Sequence, residues 1–315
     1  MERDVPFFEG PMRRISQIVG VNLWELNLVN VYIVSPKWKK HSMFVIVLIL
    51  LLNFYLANIF NVYTMGDLFL AFVFGVLDFA GFGFVTLFDV IELQRNSLDI
   101  CSVINHIRNI KISLTQLGFY SEKNFYSMLL CLQLLLSYFM FNLFGQIVLY
   151  VWYYFAVSSY FWNVRIVFTI LTSVMLNIEI LFLVFVLNLK FIFEGIDVRL
   201  FDDDQIAQFF TFDKRKTIYL FRSLRKLHDQ ACESSEEVNK CFCNINLINS
   251  TMDFVGLVYT FYLFKKLYSD ERSSICVSMF WMSFFAGKLL LKVTATSRTV
   301  IQVNMSNISF MFHIL

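Results

Sequence analysis

Long apolar runs alternate with shorter polar segments along most of this chain. An apolar run of about 20 residues crosses the hydrocarbon core of a bilayer as an α-helix. Few Pro and Gly residues interrupt the runs, which favours long helices over short strands. The runs that meet this length are Met43–Tyr63, Leu68–Phe88, Ser127–Tyr154, Ile166–Leu187, Phe242–Phe264 and Ser273–Leu291. We therefore predict an all-α, multi-span helical membrane protein with six spans.

The sixth run is the weakest of these because Lys288 and Lys292 lie at its end. A Lys side chain near the end of a span can extend its ammonium group to the lipid headgroups while its methylene groups stay in apolar surroundings. We therefore expect both side chains to snorkel to the membrane interface, and we keep this run as a span.

The composition supports a membrane protein and excludes several other classes. Of the 315 residues, 58% are hydrophobic and 16% are charged, and 38 are Phe. Soluble globular domains have a different composition. No basic patch with interleaved aromatic residues is present, so nucleic acid is not an expected partner. Gly-rich phosphate loops, zinc-peptidase motifs and nucleophile elbows are also absent, and we expect no enzymatic activity, no cofactor and no bound metal.

The placement of basic residues predicts the orientation of the spans, because Lys and Arg accumulate in cytoplasmic segments. Of the 26 Lys and Arg residues, 22 lie in alternate connecting segments, beginning with the N-terminal one and counting Lys288 with the tail. This bias places residues 1–42, 188–241 and 292–315 in the cytoplasm around a transmembrane domain over residues 43–291. We therefore expect a multi-pass membrane protein with a cytoplasmic N-terminus, which argues against rhodopsin-like receptors because their N-terminus lies outside.

The polar stretch between the fourth and fifth spans has the pattern of an amphipathic helix. Apolar residues recur every three or four positions, at Ile218, Phe221, Leu224, Leu227, Ala231 and Val238. Charged residues occupy the opposite, water-facing side, at Arg222, Arg225, Glu233, Glu236 and Glu237. We expect spans 4 and 5 to continue as packed helices into the cytoplasm. A compact zinc site is not expected from the spacing of His228, Cys232, Cys241 and Cys243.

Polar residues inside the predicted spans are candidates for a ligand pocket, because a polar group in the bilayer needs a partner or a water-filled cavity. In span 3, Asn142, Gln146 and Tyr150 recur every four residues on one helix face. The other candidate positions are Asp78, Thr169, Ser173, Asn177 and Tyr259. Aromatic walls that carry a few polar groups are typical of small-molecule pockets.

These positions also have structural alternatives. Asn, Gln, Ser and Thr side chains often bridge helices or bond to their own helix backbone. Tyr150 fits the interfacial aromatic belt as well as a pocket. Asp78 and Glu179 are either neutral in an apolar site or paired with a basic group.

The stretch LRKLHDQACESSEEVN and the fifth span that follows it resemble a region of insect gustatory receptors. In that family, a helix with the pattern L-x-x-L-H-D-x-L-C leads into a fifth span that ends in an aromatic Y-x-F/L-F. The matching residues are Leu224, Leu227, His228, Asp229, Cys232, Glu236, Val238, Asn239, Tyr262 and Phe264. Ala231 stands where the pattern has its third Leu. The N-terminal stretch MRRISQIVGVNLWELN also resembles the cytoplasmic start of that family.

The resemblance implies a small-molecule-gated cation channel that detects tastants, built as a tetramer of identical or different chemoreceptor subunits. The seven-span family includes the odorant receptors, and its pore-lining seventh span carries Thr-Tyr followed by Gln-Phe. This signature is absent from the sequence, so we expect a truncated chain that lacks the seventh span and does not conduct alone. The alternatives are a non-conducting or regulatory subunit, an odorant receptor, and a secondary transporter, for which no internal repeat is visible.

Overall fold

The computed structural model describes residues 24–26, 31–63, 69–117, 160–200, 214–267 and 272–314. Nearly all of these residues are helical, which confirms the all-α prediction for this part of the chain. The helices are α1 (Pro36–Tyr63), α2 (Phe69–Arg95), α3 (Ser97–Gln116), α4 (Tyr160–Leu200), α5 (Lys214–Leu267) and α6 (Arg272–Ile314). They follow a short antiparallel hairpin of β1 (Trp24–Leu26) and β2 (Tyr32–Val34).

Three of the described helices contain a segment long and apolar enough to cross a membrane. These segments are Pro36–Tyr55 in α1, Ile170–Ile196 in α4 and Ile218–Tyr262 in α5. They overlap predicted spans 1, 4 and 5, so the transmembrane character of the chain is supported. The predicted third span, Ser127–Tyr154, lies outside the described residues. The number of six spans and their orientation stay predictions.

Helix α4 lies at the centre of the bundle. Between Leu171 and Ile196 almost every side chain is buried, because α4 packs against α2, α5 and α6. Its sequence is apolar on all sides, as expected for a helix that other helices surround. Helix α1 instead exposes a face of large apolar side chains, among them Phe44, Leu51 and Phe54. A continuous apolar surface of this kind is suited to contact with lipid.

Helix α5 runs without a break from its polar N-terminal half into its apolar half, as the sequence predicts. We call α3 together with residues 214–241 of α5 the polar layer. In this layer the predicted stripe is buried at Leu224, Leu227, Ala231 and Val238, and the predicted charged face is exposed at Arg222, Arg225, Glu233 and Glu236. Ile218 departs from the prediction and is 45% exposed. The end of α3 at Gln116 lies near the neighbouring Tyr219, so α3 gives Ile218 little cover.

The β-hairpin is attached to α3 through Asn105. Its side-chain oxygen accepts a hydrogen bond from the Tyr32 N–H at 2.8 Å, and its amide nitrogen donates to the Tyr32 carbonyl at 2.9 Å. The Cys101 thiol donates to the same carbonyl. Side chains of α3 therefore bond to the outer N–H and carbonyl of β2, which a third strand would otherwise pair with.

Two helix contacts depend on glycine. The Asn53 side chain of α1 occupies the space over Gly83 of α2, and a Cβ atom at Gly83 would overlap it. A Cβ atom at Gly256 of α5 would lie 2.7 Å from the Phe285 ring of α6. Glycine lets these backbones approach their neighbours closely, as small residues do in membrane helices.

Substitution of Gly256 by Ala should destabilise the protein. Phe285 is 2% exposed and packs with Phe82, Trp281 and Phe284, so its ring has no room to move. Overpacking of this kind costs ~1–3 kcal/mol, against a gain of ~1 kcal/mol in helix propensity. We expect a lower melting temperature for the detergent-purified variant. In a Phe285→Leu background the same substitution should be neutral or stabilising, and an equal loss in both backgrounds would exclude the ring as the cause.

Candidate functional site

Two acids and two lysines from three helices meet inside the bundle. Lys288 and Lys292 are four residues apart, so they share one face of α6. That face is directed at Glu179 of α4 and Asp253 of α5. We call these four residues the ion-pair ring.

Each ammonium group of the ion-pair ring contacts both carboxylates. Lys288 Nζ lies 2.7 Å from Asp253 Oδ1 and 3.1 Å from Glu179 Oε1. Lys292 Nζ lies 2.7 Å from Glu179 Oε1 and 3.1 Å from Asp253 Oδ2. Lys288 Nζ also lies 5.3 Å from the centroid of the Phe284 ring, within the range of a cation–π interaction. Charge-assisted hydrogen bonds therefore join α4, α5 and α6.

The expectation that Lys288 and Lys292 snorkel to the membrane interface is wrong. Their side chains are 2% and 9% exposed, and those of Glu179 and Asp253 are 3% and 0% exposed. A buried charge is tolerated when a hydrogen-bonded partner of opposite sign lies beside it, and each of the four residues has two such partners. Of the two alternatives for Glu179, the structure therefore favours pairing with a basic group.

Asp89 of α2 is a fifth charged residue beside the ion-pair ring. It is fully buried, and it lies close enough to Glu179, Lys288 and Lys292 to interact with them electrostatically. Asn249 of α5 is also fully buried and approaches Asp89. Within the described part of the chain, neither the Asp89 oxygens nor the Asn249 amide has a hydrogen-bond partner of normal geometry.

Neither the ion-pair ring nor Asp89 is among the predicted ligand residues. Asp89 directly follows Phe88, where the predicted second span ends, so it lies outside the polar residues within the spans. A usable signal existed for the ring: two acids in predicted spans need basic partners, and Lys288 and Lys292 share a helix face.

The predicted ligand residues are described only in part. Those with described side chains are Ser173 and Asn177 on α4 and Tyr259 on α5. Within α2 and α4, but with side chains outside the described part, are Asp78 and Thr169. Entirely outside the described residues are Asn142, Gln146 and Tyr150. A pocket that these eight residues share therefore stays a prediction.

Asn177 follows one of the structural alternatives for a polar residue in a span. Its amide nitrogen donates a 2.8 Å hydrogen bond to the Ser173 carbonyl one turn earlier in α4, and the residue is buried. Such bonds satisfy a polar side chain on its own helix. Ser173 and Tyr259 are half-buried, so they retain surface for contact with a ligand.

Part of the gustatory-receptor pattern faces the core of the polar layer: Leu224, Leu227, His228 and Val238 are buried, whereas Asp229, Glu236 and Asn239 are exposed. The His228 ring lies edge-on to the Phe193 ring of α4, with 5.6 Å between centroids. The Cys232 thiol lies 3.8 Å from His228 Nδ1. Across the described ranges, no three or more His, Cys, Asp or Glu side chains are grouped to hold a metal ion. The buried residues of the pattern therefore act in helix packing.

A groove of about 930 Å³ lies between α3 and α5 in the polar layer. Its lining is mainly polar and includes His106, Ser113, Arg222, Lys226 and Gln230. Small-molecule pockets are mostly apolar with few polar groups, and this groove has the opposite character. It therefore lacks the character expected of the predicted tastant pocket.

Lys111 of α3 is fully buried between the polar layer and α4. Its ammonium group donates a hydrogen bond to Asn188 Oδ1 of α4, and the Asn188 amide nitrogen donates to the Val184 carbonyl at 2.6 Å. Burial disfavours the charged form and lowers the pKa of Lys111 to about 7. This lysine therefore makes the packing of α3 on α4 sensitive to pH.

Comparison with known proteins does not assign the chain to a family. No protein-family model matches the chain, and there is no match among the curated proteins. The function is therefore argued from the helices, the ion-pair ring and the resemblance in the polar layer.

Removal of one ammonium group from the ion-pair ring should destabilise the protein strongly. Lys292→Met leaves two buried carboxylates with one ammonium group, and an uncompensated buried charge costs ~3–5 kcal/mol. Adding Glu179→Gln removes the excess charge and should recover at least half of the loss. The melting temperature and the yield of monodisperse protein measure both effects. Lys240→Met, at an exposed position of α5, is the matched control, and equal losses at both lysines would contradict the prediction.

Stability should rise with pH between about 7 and 10.5 because of Lys111. The folded chain releases the Lys111 proton near pH 7, whereas an unfolded chain keeps it up to its ordinary pKa of 10.5. The unfolded state therefore binds more protons in this window, and stability increases by up to ~1.4 kcal/mol per pH unit. Melting temperatures across this range should show the slope in the wild type and in Lys240→Met. Lys111→Met should flatten it and stabilise the protein below pH 7, so a variant with an unchanged slope would refute this role.

Proposed function

We propose that this chain is a chemoreceptor subunit of the insect gustatory type, part of a small-molecule-gated cation channel that detects tastants at the plasma membrane. Helix α5 carries the proposal, because it continues unbroken from the gustatory-receptor pattern into an apolar segment. Leu224, Leu227 and His228 of the pattern are buried. The buried residues of the pattern thus form a packing surface on a helix that continues into the apolar segment.

The ion-pair ring provides a route from a ligand to α6 in this proposal. Contacts of Phe182 with Phe242 and of Phe193 with His228 show that α4 and α5 run antiparallel. Ser173 precedes Glu179 by six positions in α4, and Tyr259 follows Asp253 by six positions in α5. The two candidate ligand residues therefore lie on the same side of the ring, less than two helical turns away.

A ligand held between these positions would move α4 relative to α5. Packed cores respond to such movement by switching between discrete arrangements rather than by gradual deformation. Because both carboxylates of the ring bind lysines of α6, a shift of either helix displaces α6. In a tetramer with identical or other chemoreceptor subunits, that displacement would reach the pore.

A secondary transporter is the second candidate function. The buried and incompletely paired Asp89 favours it, since acids inside a membrane bundle are typical of ion-coupled transport. The two functions differ in what crosses the membrane. A channel passes ionic current that a ligand switches on, whereas a transporter accumulates the ligand itself with saturable kinetics.

The proposed orientation can be tested with epitope tags. Tags placed at residue 1 and between residues 201 and 213 should bind antibody only in permeabilised cells, because the excess of Lys and Arg places both segments in the cytoplasm. A tag between residues 156 and 159 should bind antibody on intact cells and is the matched control. Binding to the residue-1 tag on intact cells would refute the orientation.

The receptor function can be tested by calcium imaging in cells that express this chain alone or with a channel-forming chemoreceptor subunit. We expect sugars, bitter compounds or odorants to evoke calcium entry only in the co-expressing cells. Tyr259→Phe should raise the half-maximal concentration about tenfold, the effect of one lost hydrogen bond of ~1.4 kcal/mol. Val258→Ala, at a neighbouring exposed position, is the control. Saturable ligand uptake without current would favour the transporter, and silence of every subunit combination would count against chemoreception.

A further inference from the structure

The charges around the ion-pair ring do not balance. The ring itself is neutral, and Asp89 adds a third carboxylate that interacts with Glu179 of α4 and with Lys288 and Lys292 of α6. Helix α5 contributes Asn249 beside Asp89 and the ring carboxylate Asp253. Among the described residues, α1 and α3 also pack on α2 but place no charged group that acts on Asp89. A net negative charge inside a bundle is costly unless a positive charge accompanies it.

The hydrogen bonding of Asp89 and Asn249 is also incomplete, and each side chain carries groups that could complement the other. The two carboxylate oxygens of Asp89 and the nitrogen and oxygen of the Asn249 amide have no hydrogen bond of normal geometry, although the two side chains approach each other closely. Both residues are fully buried, where most polar groups have a partner. A single cation bound between the Asp89 carboxylate and the Asn249 amide oxygen would neutralise the carboxylate and give both groups a partner.

We propose that Asp89 and Asn249 form a binding site for one monovalent cation, a proton or Na⁺, which neutralises the third carboxylate beside the ion-pair ring. As a proton, it would reside on Asp89 and donate to the Asn249 amide oxygen, while the amide N–H donates to the other carboxylate oxygen. As Na⁺, it would bind the hard oxygen atoms of both side chains. Among the described residues, no three His, Cys, Asp or Glu side chains are placed to hold a metal ion together, which argues against a divalent ion. This inference does not depend on the proposed receptor function.

The test is the thermal stability of the purified full chain in detergent, measured as Na⁺ replaces a bulky organic cation at constant ionic strength and, separately, as pH is lowered from 7, outside the window in which Lys111 changes stability. We expect Na⁺ or acid to raise the wild-type melting temperature. Asp89→Asn removes the charge but keeps the shape, so it should be stable without either and should lose the dependence. Asn249→Ala should raise the half-stabilising Na⁺ concentration about tenfold or more, as expected for one lost ligand group of ~1.4 kcal/mol, or shift the pH of half-stabilisation if the cation is a proton.

The two sources of the cation give different results. Stabilisation by Na⁺ that Asp89→Asn abolishes identifies an inorganic cation, whereas stabilisation by acid alone that Asp89→Asn abolishes identifies a proton. Asp99→Asn, an exposed acid of α3, should behave like the wild type. The proposal is overturned if the wild type responds to neither cation, or if Asp89→Asn and Asn249→Ala keep the wild-type response. If Asp89→Asn does not fold, Asn249→Ala alone decides between these outcomes.

Discussion

The ion-pair ring fixes the register of the three helices at the centre of this protein. Asp253 pairs with Lys288, and three residues further along α5 Gly256 meets Phe285, three residues earlier in α6. Antiparallel helices in one register produce both contacts, so the polar pair and the apolar contact support each other. A slip of one helical turn would break four charge-assisted contacts inside the bundle and drive a side chain into the Phe285 ring. Few alternative packings of α5 on α6 are therefore available.

The same register carries over from the apolar bundle to the polar layer through α4 and α5. Phe242 packs against Phe182 and Phe185 between the ion-pair ring and the His228–Phe193 contact. Because α5 is unbroken and α4 is buried along most of its length, a displacement at one end is transmitted along packed side chains rather than lost in a loop. Lys111 of α3 adds a contact that depends on charge where the polar layer packs against α4. The apolar bundle and the polar layer therefore differ in chemistry, although α5 runs through both.

The sequence pattern predicts most of the long helices, but it predicts neither α3, nor the β-hairpin, nor the site. Apolar residues on all sides of α4 indicate a buried helix, and the repeat from Leu224 to Val238 predicts the packed face of α5, because both are properties of one helix. The ion-pair ring is a relation between three helices, which periodicity does not encode. The snorkelling rule failed at Lys288 for this reason: it describes a lysine beside lipid, and here acids of α4 and α5 lie 3.1 Å and 2.7 Å from the ammonium group. For Asn177, only coordinates distinguish a ligand contact from a bond to the Ser173 carbonyl.

Asp89 extends the consequences of the ion-pair ring to α2. When Asp89 is charged, it attracts the same two lysines that Glu179 and Asp253 hold, so α2 is drawn to the ring at the expense of the contacts among α4, α5 and α6. When a cation neutralises Asp89, Lys288 and Lys292 interact only with Glu179 and Asp253, and Asp89 can hydrogen-bond to Asn249. Cation binding at Asp89 thus shifts interaction energy between two places, the packing of α2 on the ion-pair ring and the contacts among α4, α5 and α6. A ligand that changes the spacing of α2 and α5 would alter cation binding in turn, because linkage between two sites is reciprocal.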